Sequence, residues 1–249
     1  MSVTAIPKLP YKPTKPYIQP HREAKAMTIV VGLKCQDGVV LCADQQITAS
    51  GAFKFNECKI HTESMGHTSI VFAYSGLPSL DKEVREKMMR KLDETGISED
   101  YVYQAADEVL TEMGRNYSDM PLQMLIGTTG NPAEVFNEPT LLKFDGRGLH
   151  KADSYCLLGV GESALVRFFV EKLYYSWMPI QEAVNLAVYL VRKAEQYIDG
   201  CGGPINVSWM ECLSLSCQTL PEKDIQNRIN LMEKREAIFK KLIIEKPSS

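Results

Sequence analysis

The sequence has no CxxC pair, no HExxH motif, no excess of positive charge and no long hydrophobic run. Its seven cysteines, an odd number, are scattered at Cys35, Cys42, Cys58, Cys156, Cys201, Cys212 and Cys217. No secretory leader is legible beside them, so reduced thiols in a cytoplasmic setting are the expectation. Histidine is scarce, and His21, His61, His67 and His150 share no ligand spacing, which leaves a histidine-built metal site without support. The longest apolar runs, such as IVFAY and VSWM, fall far short of the roughly 20 residues a bilayer span requires. A formal charge of -3 provides no global attraction to nucleic acid or to an anionic membrane. The body of the chain has no internal repeat and no low-complexity segment.

What is present is a chain of 249 residues, 45% hydrophobic and 24% charged, long enough to bury a full core as one domain. Its first 27 residues stand apart. Pro7, Pro10, Pro13, Pro16 and Pro20 punctuate a segment with few aliphatics, which reads as an extended or disordered leader or propeptide. Lys8, Lys12, Lys15, Arg22 and Lys25 against Glu23 give this leader +4, so residues 28–249 carry -7. A single domain over 28–249, ending in a charged amphipathic helix, is the expected organisation.

That domain opens with TIVVGLK and DGVVLCAD, two β-branched runs joined by a turn containing Asp37-Gly38. Neither run alternates polar with apolar, which predicts strands covered on both faces. With the turn near Gln36 and Asp37, antiparallel pairing brings Asp44 close to Thr28. Further strands are expected at KFNECKI, HTSIVFAYS, LQMLIGTT, PTLLKFD, SYCLLGV and GPINVSWMECLSL. Helices are expected over 80–92, 100–115, 162–175, 180–198 and 223–243, the fourth apolar over a wide arc and so packed on two sides. Runs of strands separated by helix pairs, rather than βαβ alternation, predict an α+β fold with antiparallel sheets.

A threonine at the head of an ordered strand can act as a nucleophile if the peptide bond before it is cut. The freed α-amine, of ordinary pKa near 8, takes the proton from the hydroxyl of its own residue. A neighbouring lysine would lower the pKa of that amine, and a carboxylate would keep the lysine charged. Asp44 supplies the acid by the hairpin argument, and Lys59 on a following strand could supply the cation.

The stretch TIVVGLKCQDGVVLCADQQIT resembles the opening of proteasome-type subunits, both the proteasome β subunits and the bacterial HslV peptidase. In that family the first threonine is the nucleophile and an aspartate follows sixteen positions later, the interval from Thr28 to Asp44 here. Thr48 matches a family threonine that lines the substrate cleft. AYSGLPSLD is similar to the family turn whose glycine amide helps form the oxyanion hole, which implies Gly76. LLGVGES and DGCGGPINV are similar to two further family turns, with Val160 and Cys201 standing where the family has serines. The aspartate expected three residues before Cys201 is Ile198, and Asp199 comes one residue late. Lys59 lies 31 positions after Thr28, one short of the family interval, with Lys54 a poorer substitute.

The resemblance implies a four-layer αββα sandwich, the N-terminal-nucleophile hydrolase fold, and a threonine endopeptidase acting on unfolded polypeptides in a ring assembly. Its site would be Thr28, Asp44, Lys59, Gly76, Asp199 and Cys201, with no metal or cofactor. It also implies an ATP-dependent unfoldase as a partner. Two other functions stay open: a catalytically inactive α-like ring or scaffold subunit that keeps its leader, and an N-terminal-nucleophile amidase of the same chemistry acting on a small molecule. Met27 before Thr28 departs from the glycine that usually precedes self-cleavage, and it also fits a chain started at Met27 that loses its initiator.

Overall fold

The computed structural model describes residues 28–49, 53–65, 68–95, 98–116, 121–129, 138–212, 214 and 216–244. The Pro-rich leader expected over 1–27 lies outside them. The chain folds into β1 (Ile29–Lys34), β2 (Gly38–Asp44), β3 (Gln46–Ala49), β4 (Phe53–Asn56), β5 (Ile60–Met65) and β6 (Thr68–Gly76). Helices α1 (Pro78–Thr95) and α2 (Glu99–Asn116) follow, then β7 (Leu122–Thr128), β8 (Thr140–Phe144), β9 (Leu149–Ala152) and β10 (Tyr155–Gly159). A 3-10 turn over Val160–Glu162 leads into α3 (Ala164–Leu173), α4 (Ile180–Tyr197), β11 (Ile205–Glu211), β12 (Gln218–Thr219) and α5 (Glu222–Ile244).

The strands form two five-stranded antiparallel sheets, ordered β10-β1-β2-β11-β12 and β5-β6-β7-β8-β9, and a separate ribbon of β3 and β4. The first hairpin has the expected register, with Lys34 opposite Val39 and Val30 opposite Ala43. KFNECKI does not form one strand. It divides into β4 and the start of β5, and Glu57, Cys58 and Lys59 between them carry the chain from the ribbon to the second sheet. Strand β3, β5 beyond Ile60, short β9 and the two-residue β12 are additions to the expected strands.

Side-chain alternation sorts the core into three apolar zones. Val30, Val39, Leu41, Ala43, Val71, Ala73, Leu125 and Leu158 face one another between the sheets. On the far side of the first sheet, Val31, Cys42 and Val207 pack against Val184, Ala187 and Val191 of α4. On the far side of the second, Phe72, Tyr74 and Met124 meet Val84 and Met88 of α1 and Val109 and Met113 of α2. Helix α4 also contacts α3 and α5, which accounts for its wide apolar arc. Two ion pairs fasten α5 to it, Arg192 with Glu233 at 3.0 Å and Lys193 with Glu236 at 2.6 Å.

Glycine sets how closely the sheets approach. A Cβ on Gly127 would lie 2.8 Å from a Val39 methyl and 2.9 Å from one of Val71, in the middle of the inter-sheet zone. Replacing Gly127 with valine should therefore destabilise the fold by roughly 1–3 kcal/mol or more through overpacking. Urea unfolding measures this, and an unchanged midpoint would mean that the sheets separate at little cost.

Candidate active site

The site forms where the ends of β1, β2 and β5 meet the loop before β11. Asp44 closes β2 opposite Ile205 and is wholly buried. Its Oδ1 accepts the Ile29 backbone N–H at 3.1 Å and the Lys59 ammonium at 2.8 Å, while Oδ2 accepts the Gly202 N–H at 3.0 Å. Lys59 is 1% exposed and donates also to the Gln46 carbonyl at 2.6 Å. Burial pushes Asp44 upward and Lys59 downward in pKa, and the contact between them opposes both shifts. Every named partner of Asp44 is a donor, so the ionised carboxylate is the form this geometry suits.

The ribbon explains why Lys59 arrives despite the short interval. β3 leaves the end of β2 and β4 returns antiparallel to it, with Gln46 opposite Asn56. The ribbon base is closed by the Glu57 N–H on the Gln45 carbonyl at 2.9 Å, and the Lys59 carbonyl accepts the Tyr74 N–H at 3.2 Å. Both ends are thus pinned at the base, which is what places Lys59. Lys54, on β4, is exposed and takes no part.

Thr28 precedes β1, is 7% exposed, and its carbonyl accepts the Val160 N–H at 2.8 Å. Gly159 has φ +60°, and a Cβ there would fall 2.1 Å from the Thr28 carbonyl oxygen, so only glycine fits this turn. Gly76 ends β6 with φ +132°, where a Cβ would lie 2.0 Å from the Pro121 carbonyl oxygen. Close backbone approach thus gives Gly76 a structural reason to be glycine.

Cys201 is buried, and its Sγ approaches the Ile198 carbonyl at 3.3 Å. Burial first, then the nearby Asp44 charge, pushes its thiol up to about 12, so it stays protonated at neutral pH. Asp199 is exposed and is not brought to the Asp44–Lys59 pair. The additional carboxylate near Asp44 comes instead from α4. Glu195, held at 3.3 Å by Arg192, is pushed up to about 7 by burial and in part by the Asp44 charge. Its Oε1 has no hydrogen-bond partner among the described residues. Sequence reasoning also missed Gln46, whose side chain donates to the Gly200 carbonyl at 3.2 Å and whose N–H donates to Gly202 at 2.9 Å. Its place directly after the Asp44-Gln45 corner was the available signal. Among the described residues no group of three His, Cys, Asp or Glu is placed to hold a metal, and no helix is long and apolar enough to cross a membrane.

A sequence profile of proteasome subunits matches residues 24–210. The chain belongs to the proteasome subunit family, which joins the antiparallel sheets and helix pairs to the pattern at the head of β1. No curated protein matches the sequence. Among solved structures, Anbu (ancestral β-subunit) from Yersinia bercovieri superposes with a TM-score of 0.74 at 14% identity, covering 89% of this chain and 99% of that one. Anbu from Hyphomicrobium sp. strain MC1 gives 0.72 at 15% identity, over 89% and 100%. A helical assembly of the Anbu complex from Pseudomonas aeruginosa gives 0.69 at 16% identity, over 89% and 98%. At these identities the likeness is one of fold.

The buried pair generates a stability prediction. Lys59→Met leaves the Asp44 charge without its cation and should lose about 3–5 kcal/mol. Adding Asp44→Asn removes that charge, so the double variant should be more stable than Lys59→Met alone. Additive losses in urea unfolding would contradict the coupling.

Proposed function

We propose that the protein is an N-terminal-nucleophile hydrolase of the threonine type, with the four-layer αββα arrangement of that class, cleaving peptide bonds of unfolded polypeptides. The observation that carries this reading is the buried Asp44–Lys59 ion pair beside the head of β1. An ammonium with so little exposure destabilises a second ammonium nearby. Its effect on a terminal amine at Thr28 is to favour the neutral base.

In the reaction, the Thr28 α-amine takes the hydroxyl proton as Oγ attacks the scissile carbonyl carbon. The oxyanion of the tetrahedral intermediate accepts a hydrogen bond from the Gly76 amide, a contribution of a few kcal/mol where such donors are preorganised. The intermediate collapses by breaking the C–N bond, and the ammonium returns its proton to the leaving amine. Water, deprotonated by the same amine, then hydrolyses the Thr28 ester and regenerates the hydroxyl. Lys59, braced by Asp44, holds the amine in its basic form. Cys201 stays a neutral neighbour that can orient groups but does not replace the nucleophile. Thr48, on β3, is the residue we assign to the wall of the substrate cleft.

Self-assembly fits the same reading. Leu231, Ile238, Phe239, Leu242 and Ile243 form an exposed apolar row on α5, of the kind that a neighbouring copy covers. A cytoplasmic ring fed by an ATP-dependent unfoldase is the setting we assign to it. A scaffold role is favoured by one observation, the exposure of Asp199 away from the ion pair.

The test compares a chain starting at Thr28 with its Thr28→Ala and Lys59→Ala variants, using fluorogenic peptides, small amides and a peptidyl epoxyketone. We expect peptide turnover and an epoxyketone adduct on Thr28 in the parent, neither with Thr28→Ala, and turnover at least 100-fold lower with Lys59→Ala. Equal turnover by parent and Thr28→Ala would remove Thr28 as nucleophile. Inactivity of all three with a folded ring would support the scaffold, and turnover of small amides alone the amidase.

A further inference from the structure

Ser75 is 1% exposed, and its Oγ has no hydrogen-bond partner among the described residues. An unpaired buried hydroxyl costs about 1–3 kcal/mol, so its persistence in a well-packed strand requires a reason. Its surroundings suggest one. Ser75 follows Val71 and Ala73 on the face of β6 that looks across to the first sheet. Thr28 stands two residues before Val30, whose side chain faces the same inter-sheet zone. Strand alternation carried back from Val30 therefore sends the Thr28 side chain toward that zone.

The two residues also meet at one end of the zone. Ser75 Oγ lies 3.0 Å, and the Thr28 carbonyl oxygen 2.1 Å, from the same point, the place a Gly159 Cβ would occupy. Directly opposite Ser75 in the β6–β7 register is Gln123, whose Oε1 accepts the Gly159 N–H at 3.0 Å. The next amide, that of Val160, is taken by the Thr28 carbonyl at 2.8 Å. The named backbone donors of this turn are thus engaged, and the Ser75 hydroxyl is left over.

We propose that Ser75 and Gln123 are positioning residues for Thr28, reaching it from the opposite sheet: Gln123 fixes the Gly159–Val160 turn that holds the Thr28 carbonyl, and the Ser75 hydroxyl, without a partner among the described residues of the uncut chain, takes up a hydrogen bond to the Thr28 side chain once the bond to Met27 is cut and so selects its attacking rotamer. Threonine has two heavy atoms on Cβ, so its rotamers are few and sharply separated. The wrong one turns a methyl, not Oγ, toward the substrate. A single hydrogen bond of ordinary strength suffices to choose between them. The Val160 side chain has no polar atom to do so.

The inference rests on Thr28 as nucleophile. The test follows covalent labelling of Thr28 by a peptidyl epoxyketone in the processed protein, resolving the limiting rate of adduct formation from the concentration that half-saturates it. Ser75→Ala should lower the limiting rate roughly 10-fold while leaving the half-saturating concentration unchanged, the mark of a group that acts after binding. Ser75→Cys, a near-isostere with a weak donor, should fall between the two. Gln123→Ala should slow labelling, and Gln123→Glu, which keeps the acceptor, should restore it. Equal limiting rates for the parent and Ser75→Ala would overturn the inference while leaving the nucleophile in place. So would a Ser75→Ala loss matched by a lower melting temperature and not eased by Ser75→Cys, because that is packing alone. A folded parent that never labels would instead refute the role of Thr28, and the inference with it.

Discussion

One ion pair organises this protein. Placing Asp44 and Lys59 out of water at 2.8 Å is tolerable only because Asp44 also receives the Ile29 and Gly202 amides and Lys59 also reaches the Gln46 carbonyl. Those contacts draw together the head of β1, the end of β2, the base of the β3–β4 ribbon and the loop before β11. Buried Ile29, Ala43, Ile60 and Ile205 pack around the pair, but the directed bonds are what join the four segments to one another. The pair thus fixes where these chain segments end and sets a buried cation on the same carboxylate oxygen as the Ile29 amide at the head of β1.

The same rim gathers several unusual features. Among the described residues the Ser75 and Thr48 hydroxyls and one Glu195 carboxyl oxygen have no hydrogen-bond partner, and burial pushes the Glu195 carboxyl up to about 7. Gly76 and Gly159 adopt positive φ values at close backbone approaches. Elsewhere β1 and β2 are buried on both faces and α1, α2 and α4 present regular apolar stripes. Departures from local rules gathered beside a buried ion pair are of the kind expected at a functional site.

Much of this was legible in the sequence, and for identifiable reasons. The hairpin register followed from turn chemistry, which acts between neighbours, so the approach of Asp44 to Thr28 could be anticipated. The five helices followed from 3.6-residue periodicity. Lys59 was harder, because spacing along the chain misjudges a residue that returns through a closed ribbon whose base, not length, sets position. KFNECKI was misread since its β-branched and aromatic residues belong to two strands on either side of a crossing. Asp199 was chosen by linear offset from Cys201, while the carboxylate near Asp44 comes from Glu195, about one helical turn earlier in α4. Ser75 lies in the AYSGLPSLD turn and Gln123 in the LQMLIGTT strand, but a role for either toward Thr28 depends on which sheet faces which, and that is decided by the whole core.

The central claim is that the ion pair serves a free amine on Thr28, and the first residue of the working chain tests it most directly. Intact-mass analysis of the hydrolytically active protein from its own host should give the mass of Thr28–Ser249. An active protein that still carries Met27 on Thr28 would contradict the account, because a peptide nitrogen there could not act as the base.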